Sequence, residues 1–380
     1  MQFLRSRVAL LAAGGLILVA IVAGAGAVAL NVFAGPSPTP SPSPSPTASP
    51  TPSPSPSPSP SPSPSPTPTA YCPMDGTELE DPALATRVPI LVQIENNPVA
   101  RPPSGLNLAD LVIEAPVEGD TTRFAAIFMC DESVDADVGP VRSARYFNID
   151  YWQQMRVMTL HFGGARMVID RFRASDMPYA NGLSGGWGFF YRAGPWAAPH
   201  NVYLDVDAAR EAMEDDGPIA HLARAAGEVR APFAFDADAD VPDGRAVGAV
   251  EVWTSSQWHY GWTWNADHAV WLRTDGGAPN SDRLTDSRIR ARTVIVQVVR
   301  QEVLIGENDP GGHPRRYQHL VDSGEGVLYL DGRAHDVQWS RADAGDVTTW
   351  TYADTGDPVI LPPGKVWWEI VPVGSGIVES

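Results

Sequence analysis

The pattern of apolar and polar positions divides the chain into four stretches, and the first is apolar. Arg5 and Arg7 precede residues 8–34, a run of 27 residues without a charge. A bilayer is crossed by about 20 apolar residues, so this run predicts a single-pass signal anchor. The basic flank predicts that the chain after residue 34 lies outside the cytoplasm. Cleavage as a signal peptide after Ala29 is the alternative that the pattern leaves open.

Residues 35–70 form the second stretch, in which proline alternates with serine or threonine and no charge is present. Alternating prolines remove every second amide donor and fix φ, so the segment cannot form a helix or a sheet. We expect a disordered tether in the polyproline II conformation, which reaches roughly 110 Å at ~3.1 Å per residue. That length is enough to hold a folded domain clear of a membrane.

Residues 71–230 alternate between short apolar runs and longer amphipathic ones, which is typical of strands interleaved with helices. Strands are predicted at 88–94, 109–116, 123–129 and 157–162, with a turn at 119–120. Helices are predicted at 141–155 and 205–226. Pro140 suits a first helical position, an aspartate can cap the second helix, and Gly227 ends it. The result is an α/β-like N-terminal domain with a mixed sheet and flanking helices.

Residues 231–380 change to β-branched and aromatic runs separated by Gly, Pro, Asp and Asn, which predicts a β-rich C-terminal domain. The predicted strands are 247–254, 293–304, 326–330, 347–352 and 366–371. Nine of the twelve tryptophans lie between Trp253 and Trp368. Packing on strand faces is the favoured role for them, and stacking on sugar rings is the alternative. The two domains together make the predicted fold class α+β.

The net charge of −18 falls on the folded part of the chain, because Arg5 and Arg7 are the only charged residues before position 71. The remainder carries 45 acidic and 25 basic residues, a net charge of −20. Nucleic-acid binding needs a basic face, so this balance argues against nucleic acid as a partner. Cys72 and Cys130 are too few for a four-cysteine metal site, and in an exported protein they form either a bridge or two free thiols.

Ten short motifs follow one another in the two predicted domains. They are residues 89–97, 100–106, 109–119, 122–124, 139–145, 161–164, 198–203, 282–286, 293–297 and 361–372. In composition and order they resemble the YerB-like family of bacterial cell-surface lipoproteins. That resemblance implies two extracytoplasmic domains of unknown biochemical function. This chain has no cysteine at the end of its apolar stretch to carry a lipid, and the predicted transmembrane anchor takes the lipid's place.

Two acidic residues in the motifs are candidates for acid, base or metal-ligand chemistry. Glu114 lies inside an apolar run, where an unpaired carboxylate is costly, and Arg123 across the predicted hairpin is its expected partner. One hypothesis is a buried ion pair or hydrogen-bond network that holds the hairpin together. The other places Glu114 and Glu118 at the mouth of a cleft as catalytic carboxylates.

Arg142 and Arg145 are three residues apart, which puts them on one face of the predicted helix near its N-terminus. Positive side chains oppose the helix dipole at that end unless an anion lies between them. The pair therefore predicts either a clamp for a carboxylate or phosphate ligand, or ion pairs with internal acids such as Glu95, Asp110 or Glu114.

Two histidines, His161 at a predicted strand end and His200 within the motif 198–203, complete the candidates. With Glu114 or Glu118 they could form an acid and base pair or a metal-binding set. Their spacing matches no zinc signature, so the metal and any cofactor stay unassigned. A structural role for each histidine is the alternative.

Two functions from different classes follow, and binding is favoured because the sequence carries no catalytic signature. The first is a cell-envelope binding module for an anionic small molecule or wall fragment, with candidate ligand contacts at Asn97, Arg123, Arg142, Arg145 and Asn201 and with His161 in the same cleft. The second is a hydrolase or transferase acting on envelope glycan or phosphodiester material, with catalytic residues Glu114, Glu118, His161 and His200. A purely structural role in the envelope is a third hypothesis.

Overall fold

The computed structural model describes residues 69–131, 137–255 and 258–380 of the 380-residue chain. The predicted membrane anchor, its cleavage alternative and nearly all of the predicted tether lie outside the described residues. Within the described ranges, no helix is long and apolar enough to cross a bilayer.

In the first half of the described chain, strands and helices alternate. They are β1 (Ala70–Tyr71), β2 (Glu78–Leu79), β3 (Ile90–Glu95), β4 (Leu111–Pro116), β5 (Thr122–Phe128), β6 (Asp137–Val138), α1 (Phe147–Met155), β7 (Met158–His161), α2 (Arg166–Ala174), β8 (Tyr179–Asn181), α3 (Gly182–Gly185), β9 (Phe190–Arg192), β10 (Val202–Asp205), α4 (Val206–Met213) and α5 (Ala220–Ala226).

The second half consists of strands. They are β11 (Ala234–Phe235), β12 (Arg245–Ala246), β13 (Ala249–Trp253), β14 (His259–Asn265), β15 (Val270–Asp275), β16 (Ala278–Pro279), β17 (Ser281–Asp282), β18 (Ser287–Arg288), β19 (Arg290–Ala291), β20 (Thr293–Val299), β21 (Gln301–Asn308), β22 (Pro314–Gln318), β23 (Ser323–Leu330), β24 (Arg333–Ser340), β25 (Thr349–Tyr352), β26 (Ile360–Leu361), β27 (Val366–Pro372) and β28 (Gly376–Glu379).

An 11-stranded mixed sheet runs through both halves in the order β12-β24-β23-β20-β27-β4-β5-β3-β7-β8, with β25 paired to β24. The two halves meet where β27 lies parallel to β4, so that Glu369 is opposite Glu114. A second sheet in the order β16-β15-β14-β13-β28 holds most of the remaining C-terminal strands, with β19 paired to β15. Strands β21 and β22 form a separate hairpin.

Both faces of the central sheet are covered, which explains why β3 and β4 are buried at every position. Alternate residues point to opposite faces, so Val92 joins one hydrophobic cluster and Leu91 the other. The first cluster contains α4 and the inner face of the second sheet, represented by Trp262 and Trp271. The second cluster contains α1 through Tyr151 and its neighbours.

The predicted fold class, α+β with a β-rich C-terminal part, is confirmed. Within the described ranges the five α-helices precede residue 227, and the chain after it folds into strands. The described residues from 69 to 380 form a single compact unit, in which the central sheet connects the two predicted domains. The boundary between residues 230 and 231 stays a prediction.

The helix predicted at 141–155 is half formed, because α1 begins at Phe147. The residues before it are extended and bond to neighbouring strands; the Arg142 amide, for example, donates to the Gln93 carbonyl at 2.8 Å. These bonds satisfy the backbone in place of a first helical turn. The prediction that Arg142 and Arg145 share a helix face was therefore wrong.

The single helix predicted at 205–226 is in fact two helices, α4 and α5, separated by residues 214–219. Pro218 lies in the break, and proline removes an amide donor that a continuous helix would need. The predicted cap is present, because the Asp205 carboxylate accepts a hydrogen bond of 2.9 Å from the Ala208 amide.

Cys72 and Cys130 form a disulfide whose Cα atoms are 5.9 Å apart. The bridge ties the segment before β2 to the end of β5, across 58 positions of sequence. Of the two alternatives that the sequence left open, the bridge is the one observed. On the chain-entropy model a loop of this length contributes about 4 kcal/mol to stability.

Candidate functional site

A cavity of about 350 Å³ collects many of the charged residues that the motifs contain. Its lining comes from five segments: the end of β3, the β4–β5 turn, the extended segment before α1, the β7–α2 loop, and the β21–β22 hairpin. We call it the arginine cavity. Its charged lining residues are Glu95, Glu118, Arg123, Arg142, Arg145, Asp309 and Arg315.

The β4–β5 turn places two of these residues. Gly119 and Asp120 have φ of 73° and 57°, a left-handed conformation that glycine and aspartate adopt at low cost. The chain therefore reverses within a few residues, as the Gly-Asp pair predicted. Glu118 before the turn and Arg123 after it both face the cavity.

Glu118 is the shared partner of two arginines. Arg145 donates from Nε at 2.8 Å and from Nη2 to Oε2, and Arg315 donates from Nη1 to Oε1. Burial alone would raise the pKa of Glu118, but the charges of Arg145 and Arg123 outweigh it and lower the pKa. Glu118 is therefore a carboxylate at neutral pH and is fully engaged.

Glu95 forms a second charged cluster at the end of β3. Its Oε1 lies 3.1 Å from Arg142 Nε, and its Oε2 lies 2.8 Å from His200 Nδ1. Arg142 also donates from Nη1 to the Pro199 carbonyl at 3.2 Å. Arg142 and Arg145 are thus each paired with an internal acid, which is one of the two alternatives that the sequence left open.

Arg123 lies between the two clusters and has no acidic partner. Its side chain is 7% exposed, and among the described residues no carboxylate oxygen lies within 4.0 Å of it. Its Nη1 donates to the Ser143 carbonyl at 2.6 Å, while its buried Nε has no hydrogen-bond partner. Burial and the neighbouring charge of Arg145 lower the pKa of Arg123 well below its usual value. Because arginine keeps its proton in proteins, Arg123 is a buried cation without a direct ion-pair partner among the described residues; the carboxylates of Glu118 and Glu95 act on it only from beyond 4.0 Å.

The charges of the cavity do not cancel. Four arginines face two glutamates, which leaves two positive charges, and Asp309 reduces this to one. Asp309 is engaged locally, because its carboxylate accepts from the His313 amide at 2.8 Å. In a chain with a net charge of −18, this concentration of arginine attracts anions to a place from which the rest of the surface repels them.

Glu114 does not reach the arginine cavity. It is fully buried, and Arg273 binds it at both oxygens, with Nη2 to Oε1 at 2.8 Å and Nε to Oε2 at 3.1 Å. Trp367 Nε1 donates to the same carboxylate at 3.2 Å. The partner of Glu114 is thus Arg273 of the second sheet, and the expected pairing with Arg123 was wrong. Its geometry fits the structural hypothesis, a buried ion pair.

His161 is also outside the arginine cavity. Its side chain is fully buried, its Nδ1 lies 2.7 Å from the Gly163 carbonyl, and its ring packs against Phe172 and Tyr179. Burial lowers the pKa of His161 to about 4, so the ring is neutral at physiological pH. The two candidate histidines are therefore not assembled into one site.

The two asparagines named as ligand contacts occupy different places. Asn97 lines the arginine cavity, and its side-chain oxygen accepts from the Val99 amide at 3.1 Å. Asn201 lies outside the lining, and its side-chain oxygen accepts from Arg192 Nη1 at 2.6 Å. The geometry therefore retains Asn97 as a candidate contact.

In the described part of the chain, three side chains of kinds that can bind a metal lie close together: Cys72, Asp110 and Cys130. The two cysteines are joined in the disulfide, so they offer no thiolate. Asp110 is instead used by the backbone, because its Oδ2 accepts from the Cys130 amide at 3.1 Å. This grouping is part of the structural core.

A larger cavity of about 660 Å³ lies beside the disulfide and has the opposite charge. Lys365 is the one basic residue in the described lining of this cavity, and burial lowers the pKa of that amine to about 7. The acidic lining residues are Asp75, Glu78, Glu80, Asp81, Asp110 and Asp131. Such a lining repels anions, so the arginine cavity is the candidate site for an anionic ligand.

Arg315 and Asp309 of the cavity were not predicted. Both come from the β21–β22 hairpin, and Arg315 is 197 positions away from its partner Glu118. The sequence signal was weak: two adjacent arginines, Arg315 and Arg316, on a short strand of an acidic protein.

Comparisons with known proteins agree with the family resemblance of the ten sequence motifs. Residues 75–219 match the N-terminal domain model, and residues 249–368 the C-terminal domain model, of the protein of unknown function DUF3048. A protein named "Putative lipoprotein YerB" from Bacillus subtilis (strain 168) is 27% identical over 308 residues, covering 79% of this chain and 86% of that protein. The crystal structure of YerB from Bacillus subtilis has a TM-score of 0.66 at 26% identity, covering 81% of this chain and 99% of that one.

Proposed function

The chain belongs to the DUF3048 family, whose biochemical function is unknown, and we propose that it is an extracytoplasmic binding protein that holds a small anionic ligand in the arginine cavity. The observation that carries the proposal is Arg123, a buried guanidinium with an unpartnered Nε and no carboxylate within 4.0 Å among the described residues. Leaving such a charge unpaired costs several kcal/mol. A ligand anion between Arg123, Arg142 and Arg145 supplies the missing counter-charge.

Binding is favoured over hydrolysis by the placement of the four catalytic candidates. Glu114 and His161 are buried away from the cavity, and Glu118 is held by two arginines. His200 is bound to Glu95, which is already paired with Arg142. A general acid or base needs to reach the ligand with a titratable group, and this set offers no such arrangement.

The proposed location rests on three observations of different kinds. The uncharged run 8–34 has the length of a membrane span, and the Pro-rich stretch 35–70 separates it from the folded part. The disulfide is typical of oxidising compartments outside the cytoplasm. A relative in Bacillus subtilis is named as a lipoprotein. We propose a single-pass anchor with the folded part displayed at the cell surface.

The proposal is tested by calorimetric titration of the purified full chain with inorganic phosphate, sulfate and citrate at low ionic strength. We expect a single saturable site for at least one of these anions. Arg123→Gln should weaken it by about tenfold or more, since a charge-assisted hydrogen bond contributes about 1.5–3 kcal/mol. Arg173→Gln is the matched control, because that arginine is exposed on α2 and lies outside the cavity lining.

Arg142→Gln provides a second test in case loss of Arg123 disturbs folding. Its side chain is 24% exposed, and His200 still contacts Glu95 when Arg142 is replaced, so this variant should lose less stability than Arg123→Gln and still bind the anion more weakly. If none of the three anions binds the native protein, or if both variants bind as the native protein does, the proposed function is wrong.

A further inference from the structure

The lining of the arginine cavity excludes aromatic and aliphatic ligands. Its members are charged, amide or hydroxyl residues apart from Gly164, Ala165 and Pro310. Sites for nucleobases or lipids carry aromatic or aliphatic side chains that remove the ligand's apolar surface from water. The described lining has no aromatic side chain, and its aliphatic side chains are limited to those of Ala165 and Pro310, so the ligand is polar over most of its surface.

The guanidinium groups of the arginine cavity enter it from different segments of the chain. Arg123 reaches the cavity from β5, whereas Arg142 and Arg145 reach it from the extended segment before α1. A planar carboxylate has two oxygens in one plane and suits a single guanidinium fork. A tetrahedral phosphate presents three oxygens in three directions, which suits several guanidiniums that do not share a plane.

The charge around Arg123 favours an anion whose charge lies between −1 and −2. The charges that act most strongly on it are Arg145, Glu118, Arg142 and Glu95, which cancel one another. Arg123 itself and Arg315, which shares Glu118 with Arg145, then remain as two positive charges, and Asp309 reduces the sum over the lining to one. A phosphate monoester carries about −1.5 to −2 near neutral pH, whereas a carboxylate or a phosphodiester carries a single charge.

The size of the cavity allows more than a bare phosphate ion. A volume of about 350 Å³ lies at the lower end of the range of small-molecule pockets, about 300–1,000 Å³. Beside the arginines, the lining offers the side chains of Asn97, Thr121 and Ser143. These groups donate to and accept from hydroxyls.

Resting on the proposed function, we propose that the ligand is a phosphate monoester of a small polyhydroxylated group. Its phosphate lies between Arg123, Arg142 and Arg145, and its hydroxyls contact the amide and hydroxyl side chains of the lining. Such a ligand satisfies the charge, the direction of the donors and the polarity of the cavity together.

The test is calorimetry on the full chain with four probes: glycerol 3-phosphate, the diester of glycerol phosphate with a second glycerol, adenosine monophosphate, and citrate. We expect glycerol 3-phosphate to bind at least tenfold more tightly than the diester, because the diester has lost one charge and one free oxygen. Adenosine monophosphate should bind no better than glycerol 3-phosphate, since the lining gives its base no stacking partner. Arg123→Gln should lower the affinity for glycerol 3-phosphate at least tenfold, and Arg173→Gln should not change it.

The possible results distinguish the phosphate monoester inference from the more general proposal that the protein binds an anion. Citrate that binds through Arg123 while glycerol 3-phosphate does not would overturn the phosphate monoester and leave an anion-binding protein. Equal affinity for the monoester and the diester, or tighter binding of adenosine monophosphate, would overturn it as well. Failure of every probe would overturn both statements.

Discussion

At the scale of single residues, the feature that sets the chemistry of the arginine cavity is the sharing of one carboxylate between two guanidiniums. Glu118 is the internal counter-ion of Arg145 and Arg315, so it competes with an incoming anion for the same hydrogen-bond donors. It also holds both arginines in place, on elements that are far apart in sequence. Binding and stability therefore depend on Glu118 in opposite directions.

Glu118→Gln should bind inorganic phosphate more tightly and fold less stably. Removal of the competing charge should raise the affinity by about tenfold, the equivalent of ~1.4 kcal/mol. Loss of a buried ion-pair partner should lower the free energy of unfolding by about 3 kcal/mol. Calorimetry and urea denaturation measure the two effects, with Asp120→Asn on the same turn as the control, since its side chain is 53% exposed. A folded Glu118→Gln protein that binds phosphate more weakly would contradict this role.

His161 should make stability depend on pH in a defined direction. Its pKa is about 4 in the folded protein and near 6.5 when unfolded, so in that interval the unfolded chain binds a proton that the folded chain does not. The stabilisation is complete above pH ~6.5 and decreases as the pH falls toward ~4, by about 3 kcal/mol in total.

Replacement of His161 isolates this contribution. Between about pH 7.5 and pH 5, the gap in unfolding free energy between the native protein and His161→Gln should narrow by about 2 kcal/mol. A gap that stays constant over this pH range would mean that the His161 ring is protonated in the folded state.

The cost of an unpaired carboxylate in an apolar run pointed to Glu114 and, as its expected partner, to Arg123. Arg142 and Arg145 were identified from their three-residue spacing on a predicted helix face that does not form. Glu118 was identified as a carboxylate close to Glu114 in sequence.

Glu95, the partner of Arg142, was among the possible internal acids, but partners from the second half of the chain could not be identified from the sequence. Arg273 and Glu114 are 159 positions apart, and a single sequence contains no signal that joins them. The burial of His161 at the end of β7 could not be predicted from the sequence either, because it depends on which residues pack over that strand.

At the scale of secondary-structure elements, the β21–β22 hairpin matters most for the site. The apolar run at 293–304 predicted one strand, but the chain divides at Arg300 into β20 of the central sheet and β21 of the hairpin. Uninterrupted β-branched residues hide such a division, since both parts have strand composition. The first part of the helix predicted at 141–155 did not form, because tertiary hydrogen bonds between this segment and β3 outweighed the local helix propensity.

The hairpin should contribute to binding through Arg315 and not through its neighbour. Arg315 donates to Glu118 inside the cavity, whereas Arg316 pairs with the exposed Asp120. Arg315→Gln should therefore weaken phosphate binding several-fold and lower the melting temperature, while Arg316→Gln should change both only slightly. Equal effects of the two substitutions in parallel calorimetric and thermal measurements would show that the hairpin acts only as a scaffold.

At the scale of the whole molecule, the central sheet and the buried pair of Glu114 with Arg273 connect the two halves. The sequence correctly predicted an α+β class with a β-rich C-terminal part. It could not predict that the strands of both halves hydrogen-bond to each other, because strand order is a property of long-range packing.

The shared sheet predicts a single unfolding transition for residues 69–380. Far-UV circular dichroism follows the helices, which in the described ranges precede residue 227, while tryptophan fluorescence is dominated by the nine tryptophans from Trp253 to Trp368. The two signals should give the same urea midpoint. Two separate midpoints would show that the halves unfold independently.

The central claim is that the arginine cavity binds a tetrahedral anion, and the most direct measurement is a crystal structure of the protein grown with tungstate. Tungstate has the shape of phosphate, and its anomalous scattering locates it without ambiguity. The account predicts an anomalous peak within hydrogen-bond distance of Arg123, Arg142 and Arg145. A cavity without that peak at saturating tungstate, or a peak only at exposed surface arginines, would contradict it.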